Sequence, residues 1–280
     1  MNNNSNTDHL ILADGHVHIY GNFTLETVLD RAFENFQERS TLRGHKYPWT
    51  AFLFLTETIT ENWFSLLKQQ TIENKGFPSP GFEKWSFQQT QEECSLYGRF
   101  NKEEGHYLIA GRQIKAERNL EVLALGTIES FEEGRPVKEL IHAISQRGAI
   151  PVIPWGAGKW LGARGRMIKQ LLLNQDGPPF FLGDTRNRPV FWPKSSIFKR
   201  AADQGLKILP GSDPLPLSSQ EKFPGSYGFG LRGDINADYP FASIKKLLFD
   251  PETLVFPYGK GERSFPFFRD QVRLRIKAGK

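Results

Sequence analysis

Short apolar runs that alternate with amphipathic segments constrain the fold of this chain more than any other feature. In the clearest unit, Pro136 suits the first turn of a helix and Gly148 is placed to end it. Between them, apolar residues recur at helical spacing, at Val137, Leu140, Ile141 and Ile144. The apolar run 149–153 follows as a strand. Such alternation predicts an α/β domain with parallel strands and crossover helices.

The same rhythm continues along much of the chain. Further strands are predicted at 10–13, 51–55, 107–114, 120–126, 179–182 and 206–210, and further helices at 24–39, from Trp63, at 160–173 and at 195–203. Residues 74–105 break the rhythm with prolines and glycines, which predicts an insertion or a long loop over the core. We therefore expect a disordered tail at 1–8, one domain at 9–250 and a C-terminal extension at 251–280.

Composition narrows the class of protein. The 280 residues hold a single cysteine, Cys94, which rules out an internal disulfide framework and fits a reducing compartment. We see no export signal and no apolar run of the ~20 residues that cross a bilayer, so we expect a cytoplasmic protein without a membrane partner. The net charge of +5 is compatible with an anionic small substrate or simply with a solvated surface.

Two histidines stand one residue apart where the first strand ends, in Asp14-Gly15-His16-Val17-His18. Side chains alternate faces along a strand, so Asp14, His16 and His18 are expected on one side. Two imidazoles aimed together at the mouth of a sheet are typical of a divalent metal site.

Other polar residues stand at the ends of predicted strands, where parallel α/β folds gather functional groups. Glu57 and Asp213 each follow an apolar run, where a metal or a basic partner would relieve the cost of a buried carboxylate. Asp184 is a further candidate, although an ion pair with Arg186 or Arg188 competes with a catalytic role.

Cationic and aromatic residues near the strand ends are candidates for binding an anionic substrate: Arg112, Lys115, Trp155, Lys159 and Arg186. The stretch 156–159 is rich in glycine but lacks the spacing of a nucleotide-binding loop. Its glycines could still hold an anion, or they form a flexible loop before a basic helix face. Covalent chemistry is unsupported, because the chain has no Gly-x-Ser-x-Gly elbow and Cys94 has no histidine partner nearby.

In their order along the chain, these segments resemble the PHP (polymerase and histidinol phosphatase) family of metal-dependent phosphoesterases. The opening His16-Val17-His18 looks like the family's His-x-His motif. Similar strands follow at 51–58, 108–114, 120–126 and 148–155, and Gly211-Ser212-Asp213 is similar to the closing Gly-Ser-Asp-x-His. The resemblance implies a distorted TIM-like barrel of seven or eight β/α units, and the broader amidohydrolase-like barrels are the second choice.

The departures from the family pattern change what the resemblance implies. Family metal ligands are replaced here at five positions, which are Thr58, Gln113, Glu121, Trp155 and Leu215. His16, His18 and Asp213 persist, so the resemblance implies one divalent ion (Zn, Mn or Fe) per chain rather than a three-metal cluster. Glu57 and Glu121 stand as acidic substitutes, one of which would complete the site, and with Asp184 they are the candidate catalytic carboxylates.

Two functions compete on this basis. The first is a metal-dependent hydrolase that attacks a phosphate ester or another anionic small substrate through an activated water. The second is a degenerate relative that binds an anionic ligand or a partner without catalysis, as the replaced ligands indicate. Nucleic acid is not favoured as a partner, because the basic cluster at 269–280 lacks interleaved aromatic residues or a recognition motif.

Overall fold

The computed structural model of the protein describes residues 9–42, 48–73, 78–101, 104–174, 176–192 and 195–278, so the predicted tail at 1–8 lies outside it. Its strands are β1 (Leu10–Val17), β2 (Trp49–Leu55), β3 (Trp85–Gln89), β4 (Ser95–Phe100), β5 (Gly105–Ile109), β6 (Gly111–Lys115), β7 (Glu121–Leu125), β8 (Ile150–Pro154), β9 (Phe181–Gly183), β10 (Gly228–Arg232) and β11 (Phe256–Tyr258). Its α-helices are α1 (Leu25–Leu42), α2 (Trp63–Glu73), α3 (Val137–Gln146), α4 (Gly162–Leu173), α5 (Ser196–Asp203), α6 (Pro240–Phe249) and α7 (Ser264–Ala278).

The strands form two open sheets. The larger has seven strands in the order β11-β10-β1-β2-β5-β4-β3, and the smaller has four in the order β6-β7-β8-β9. Parallel pairing joins β1 to β2, β2 to β5, and β8 to β9, whereas the remaining neighbours are antiparallel. The fold is therefore mixed α/β.

The prediction of a TIM-like (β/α) barrel is wrong, because the described strands form two open sheets. Such a barrel needs parallel strands throughout, and each parallel step needs a long crossover. Here β3 and β4 are joined by the short link 90–94, and β6 and β7 by 116–120, so both pairs run antiparallel. β10 also returns antiparallel beside β1. The segment predicted as an insertion, residues 74–105, supplies β3 and β4, which form one edge of the seven-stranded sheet.

Both sheets contribute to one apolar cluster, which α6 joins through Phe241, Ile244 and Leu248, and other helices cover the outer faces. In β2, Leu53 and Leu55 pack toward α1 and α2, whereas Phe52 and Phe54 pack between the sheets, as the two-residue period of a strand requires. A third cluster joins the smaller sheet to α3, α4 and α5. The result is a layered α/β/β/α arrangement whose sheets meet near the histidines.

Gly111 lets the chain cross from one sheet to the other. A Cβ atom at this position would lie 2.7 Å from the carbonyl oxygen of Leu55 and 2.8 Å from that of Ala124, closer than a side chain can approach. The backbone N–H of Glu57 donates to Gly111 and that of Gln113 donates to Glu57, so the end of β2 is fixed against β6. This contact brings Gln113 to the end of β1.

His106 is a buried histidine in the aromatic core beneath α1. Its ring packs edge-on to Trp85 at a centroid distance of 5.0 Å, and neither ring nitrogen has a hydrogen-bond partner among the described residues. Burial lowers the pKa of His106 from 6.5 to about 3. The folded protein therefore keeps this side chain neutral where the unfolded chain would protonate it.

We expect His106→Phe to reduce the acid sensitivity of folding. Between pH 6.5 and about 3 the unfolded chain binds a proton at His106 that the folded chain does not, so acid favours unfolding. The part of the stability that depends on a neutral His106 is fully present above pH 6.5. It falls by about 1.4 kcal/mol per pH unit between pH 6.5 and about 3. Urea unfolding at pH 7, 6 and 5 measures the slope, and an unchanged slope in the variant would contradict the assignment.

Candidate metal centre

His16 and His18 meet at the end of β1. Their Nε2 atoms lie 3.0 Å apart, and the Oε1 atom of Gln113 lies 3.0 Å from the first and 3.2 Å from the second. Both imidazoles are buried. The ladder between β1 and β2 is interrupted between Asp14 and Val17, which leaves the backbone carbonyl of His16 free for another partner.

Asp213 reaches this point on the loop that follows β9 and α5. The loop passes so close to β1 that a Cβ atom on Gly211 would lie 2.3 Å from the backbone nitrogen of His16. The backbone N–H of Asp213 then donates to the carbonyl of His16 at 2.7 Å, and its Oδ1 atom lies 3.6 Å from Nε2 of His16. The hydroxyl of Thr185 donates to the other carboxylate oxygen and orients it. Asp213 is half-buried, so this is the open side of the cluster.

Asp14 holds the loops rather than the cluster. Its buried carboxylate accepts backbone N–H bonds from Ser212 at 2.8 Å, Gly225 at 2.8 Å and His16 at 3.2 Å. Burial raises the pKa of Asp14 to about 7, although these bonds favour the ionised form. Asp14 therefore fixes two distant loops to β1, one of which carries Asp213.

Glu61 is a functional candidate that the sequence analysis missed. Its Oε2 atom lies 3.4 Å from Nδ1 of His18 and accepts the backbone N–H of Thr58. A carboxylate on Nδ1 keeps the proton there and leaves Nε2 free as a ligand atom. Tyr20 stacks on the His18 ring at a centroid distance of 5.4 Å. Glu61 precedes α2 in a stretch without a recognisable motif, so only tertiary contact identifies it.

The donor set fits a divalent cation. The ligand atoms of His16, His18 and Asp213 all lie within 4.8 Å of one another. A metal with bonds of about 2.0–2.1 Å separates neighbouring ligand atoms by about 2.9 Å in octahedral and about 3.4 Å in tetrahedral geometry. The spacings of 3.0 Å and 3.2 Å between the imidazoles and Gln113 match that range, and the 3.6 Å between His16 and Asp213 is slightly longer. Imidazole nitrogen with carboxylate and amide oxygen suits zinc, manganese or iron.

The protonation of the two imidazoles differs. Burial lowers the pKa of His16, and the nearby charge of Asp213 only partly offsets this. Burial also acts against protonation of His18, but the contact with Glu61 and the charge of Asp213 outweigh it, so the pKa of His18 is raised. His16 is thus a neutral imidazole near pH 7, which is the form that binds a metal.

Two of the predicted catalytic carboxylates are held by other partners. Glu57 accepts the backbone N–H of Phe64 at the start of α2 and pairs with Arg112 at 3.1 Å. Asp184 receives two bonds from Arg188, at 2.8 Å and 2.7 Å, and one from the hydroxyl of Tyr227. The alternative of an ion pair therefore describes Asp184 in this structure, with Arg188 as the partner.

Glu121 and Lys159 form an ion pair beside the cluster. The negative charge of Glu121 acts to raise the pKa of both His16 and Tyr20. Its carboxylate therefore lies on the same side as the metal centre. Lys115 lies opposite Glu121 in the ladder between β6 and β7 and is exposed. On β6, Lys115 shares a face with Gln113.

The remaining predicted substrate-binding residues, Arg186 and Trp155, contact residues outside the group of His16, His18 and Asp213. Arg186 is buried, pairs with Glu262 at 2.7 Å and covers the ring of Phe223 at 3.3 Å. Trp155 is buried where β8 ends and packs edge-on to Trp192, beside a cavity of about 500 Å³. A smaller cavity of about 270 Å³ is lined by Glu61, Gln113 and Arg112, and it adjoins the histidines through the first two.

Comparison with known proteins places the fold. No family model matches the chain, and no curated protein matches it in sequence. The crystal structure of PsfC from Pseudomonas syringae PB-5123 is similar, with a TM-score of 0.55 and 13% identity over 96% of this chain and 98% of that one. At this identity the likeness shows a shared fold.

Two structures of endonucleases are also similar. The lesion-specific endonuclease PfuEndoQ from Pyrococcus furiosus has a TM-score of 0.48 and 14% identity over 89% of this chain, which spans 59% of that one. Endonuclease Q in complex with a 27-mer duplex substrate has a TM-score of 0.43 and 14% identity, with 85% of this chain and 56% of that one covered. The DNA duplex belongs to that complex, and the expectation that nucleic acid is an unlikely partner of this chain is not kept.

Among the described residues, the helices are all too short or too polar to pass through a bilayer.

We expect Asp14→Ala to destabilise the fold by at least about 3 kcal/mol. Three buried backbone N–H groups lose their acceptor, at about 1 kcal/mol or more each. Asp14→Asn, which keeps one accepting oxygen, should lose less. Urea denaturation at pH 8 measures both variants, and a loss below about 1 kcal/mol for the alanine variant would contradict the role of Asp14.

We expect Glu61→Gln to weaken metal binding by about tenfold or more, because the partner that orients His18 loses its charge. Competition with a chromogenic chelator measures the affinity. Glu93→Gln, on an exposed carboxylate of the β3–β4 link, is the matched control and should leave the affinity unchanged. Equal affinity in Glu61→Gln and wild type would remove Glu61 from the centre.

Proposed function

We propose that this chain is a divergent PHP-type protein and a metal-dependent hydrolase that acts on a phosphate ester or another anionic substrate. The convergence of His16, His18 and Asp213 within 4.8 Å carries the proposal. The order of strand-end motifs along the chain supports it, and so does the Glu61 carboxylate on His18, which is typical of a metal-ligating histidine.

The charge of the donor set favours a single ion. Two imidazoles, which would be neutral as metal ligands, one carboxylate and the neutral amide of Gln113 would supply one negative charge in total. Several divalent ions held close together would need more carboxylates to offset their repulsion. We therefore assign one zinc, manganese or iron ion per chain.

A divalent cation bound here would supply Lewis acidity, which lowers the pKa of a water molecule and offsets the charge of the substrate. The chain's own residues provide the rest. Thr185 orients the Asp213 carboxylate, and Glu61 holds the Nδ1 proton of His18. Glu121 is the carboxylate we assign to accept a proton from the attacking water, because its charge reaches His16.

The anionic group of the substrate would be neutralised by lysines beside Glu121. Lys159 is paired with this carboxylate, and Lys115 lies across the ladder from it. The cavity next to Gln113 and Glu61 would hold the substrate, with Arg112 in its wall. Since Arg112 is paired with Glu57, we assign that pair to positioning the end of β2 against β6. Arg186 and Asp184 are similarly assigned to holding the loop near Thr185.

Binding of an anionic ligand without turnover is the second candidate. One observation favours it. Glu121 and Lys159 form an ion pair with each other, so neither the carboxylate nor the ammonium group is unpaired and ready to take part in a reaction. In that case metal or ligand would bind but no bond would be broken.

Metal analysis of the purified chain tests the centre. We expect about one ion per chain, and a loss of more than about 100-fold in affinity in His16→Ala and Asp213→Asn, since removing a ligand costs more than removing its orienting partner. His142→Ala, on α3, is the matched control and should keep the ion. A chain that holds no ion after soaking with zinc, manganese and iron would overturn the proposal.

The same variants separate the two functions. A panel of phosphomonoesters, phosphodiesters and a DNA duplex, assayed with the loaded protein, should show turnover that a chelator removes and that His16→Ala lacks. Turnover that survives both treatments would contradict metal-dependent hydrolysis. A loaded protein that binds a panel member without turnover would establish the binding function instead.

A further inference from the structure

Helix α7 presents an apolar stripe on the side that faces away from the domain. At about 100° per residue, the stripe residues fall within about 80° of one another around the helix. They are 56–77% exposed, and they are Phe265, Phe268, Val272 and Ile276. The opposite side of the helix is packed, with Phe267 and Asp270 buried. The helix is thus attached to the domain by one face and leaves a second apolar face uncovered.

The loop after β9 extends this surface. Phe191 stacks on Phe268 at a centroid distance of 5.8 Å and meets Phe267 edge-on at 6.3 Å. Val190 next to it is exposed, and its backbone N–H donates to Glu262 just before α7. Soluble monomers rarely expose a contiguous apolar patch of this kind, which marks an interaction surface.

The charges around the stripe are positive. Arg275 borders it on one side, and Arg269 and Arg273 border it on the other, as the helical spacing requires. Asp270 is the one acidic residue between positions 264 and 278, and it is buried against Gln220 at 2.6 Å. Glu262, which precedes the helix, is paired with Arg186. Arg269 is paired with Asp270 at 2.8 Å, so among the described residues the exposed face combines apolar side chains with the charges of Arg273 and Arg275.

We propose that α7 docks the protein onto an anionic lipid surface, with the helix flat in the interface. Aromatic and aliphatic side chains enter the boundary between headgroups and acyl chains, while flanking arginines remain at the level of anionic headgroups. Arg275 and the Arg269–Arg273 side stand at the two borders of the apolar stripe, where that arrangement needs them. Docking does not require an occupied metal centre.

Two other occupants fit this surface less well. A second copy of the chain, related by a two-fold axis, would bring the same arginine borders together, and like charges would repel. Nucleic acid could stack on the exposed phenylalanines, but Val272 and Ile276 would offer it neither stacking nor a phosphate contact. An anionic membrane matches both the apolar centre and the basic borders.

Vesicle sedimentation of the full chain tests the proposal. We expect binding to phosphatidylcholine vesicles that contain about 30% phosphatidylserine, and little binding to phosphatidylcholine alone. Arg273→Gln with Arg275→Gln should weaken binding by about thirtyfold, from about 1 kcal/mol for each charge. Phe265→Ser with Ile276→Ser should weaken it by more than about tenfold. Lys138→Gln with Lys169→Gln, on α3 and α4, is the matched control and should bind as wild type.

Circular dichroism and thermal melting establish that each variant is folded, which the exposure of the replaced side chains leads us to expect. Equal binding to neutral and anionic vesicles would overturn the role of the arginines. A dimer seen by light scattering and lost in the Phe265–Ile276 variant, without vesicle binding, would identify a second copy as the occupant. Duplex binding lost in the Arg273–Arg275 variant, without vesicle binding, would identify nucleic acid; either result overturns the lipid proposal.

Discussion

A single buried carboxylate, that of Asp14, holds together the part of the fold on which everything else depends. It accepts backbone N–H groups from β1 itself, from Ser212 and from Gly225. The last two lie 198 and 211 residues after Asp14 in the chain. Burial of a charge is costly unless hydrogen bonds replace the lost water, and these three bonds offset part of that cost. Because Ser212 is held on β1, Asp213 arrives beside His16 and the metal-binding group is assembled.

The environment of the centre follows the general rule that buried charges are paired. Arg112 is paired with Glu57, Lys159 with Glu121 and Arg186 with Glu262. From the sequence, each of these cationic residues was predicted to bind an anionic substrate, because the sequence does not show its partner carboxylate. In the fold each has a carboxylate, so most of the predicted anion-binding residues act first in holding strand ends and loops together. Lys159 and Glu121 are the pair that also lies beside the histidines.

Local structure was largely predictable from the sequence, because helices and strands depend on the spacing of apolar residues. The helix predicted from Pro136 and ended by Gly148 is α3, and the run 149–153 is β8. Strand direction was not predictable, since it depends on which distant strands pair. The predicted strand at 206–210 forms only an isolated bridge, between Ile208 and Leu182. The barrel was inferred from alternation with helices, and the antiparallel pairs of the two open sheets overturned it.

By itself, the sequence determined that two imidazoles leave the end of β1 together, because the two-residue period of a strand is local. It also determined that a carboxylate follows a late strand-like segment at Asp213. Only the tertiary structure decided that Glu61 contacts His18 across 43 residues and that Gln113 contacts His16 across 97. Those contacts depend on the passage of the chain from one sheet to the other at Gly111, between β5 and β6, and on the entry into α2. No local periodicity encodes them, because they arise from packing between distant segments.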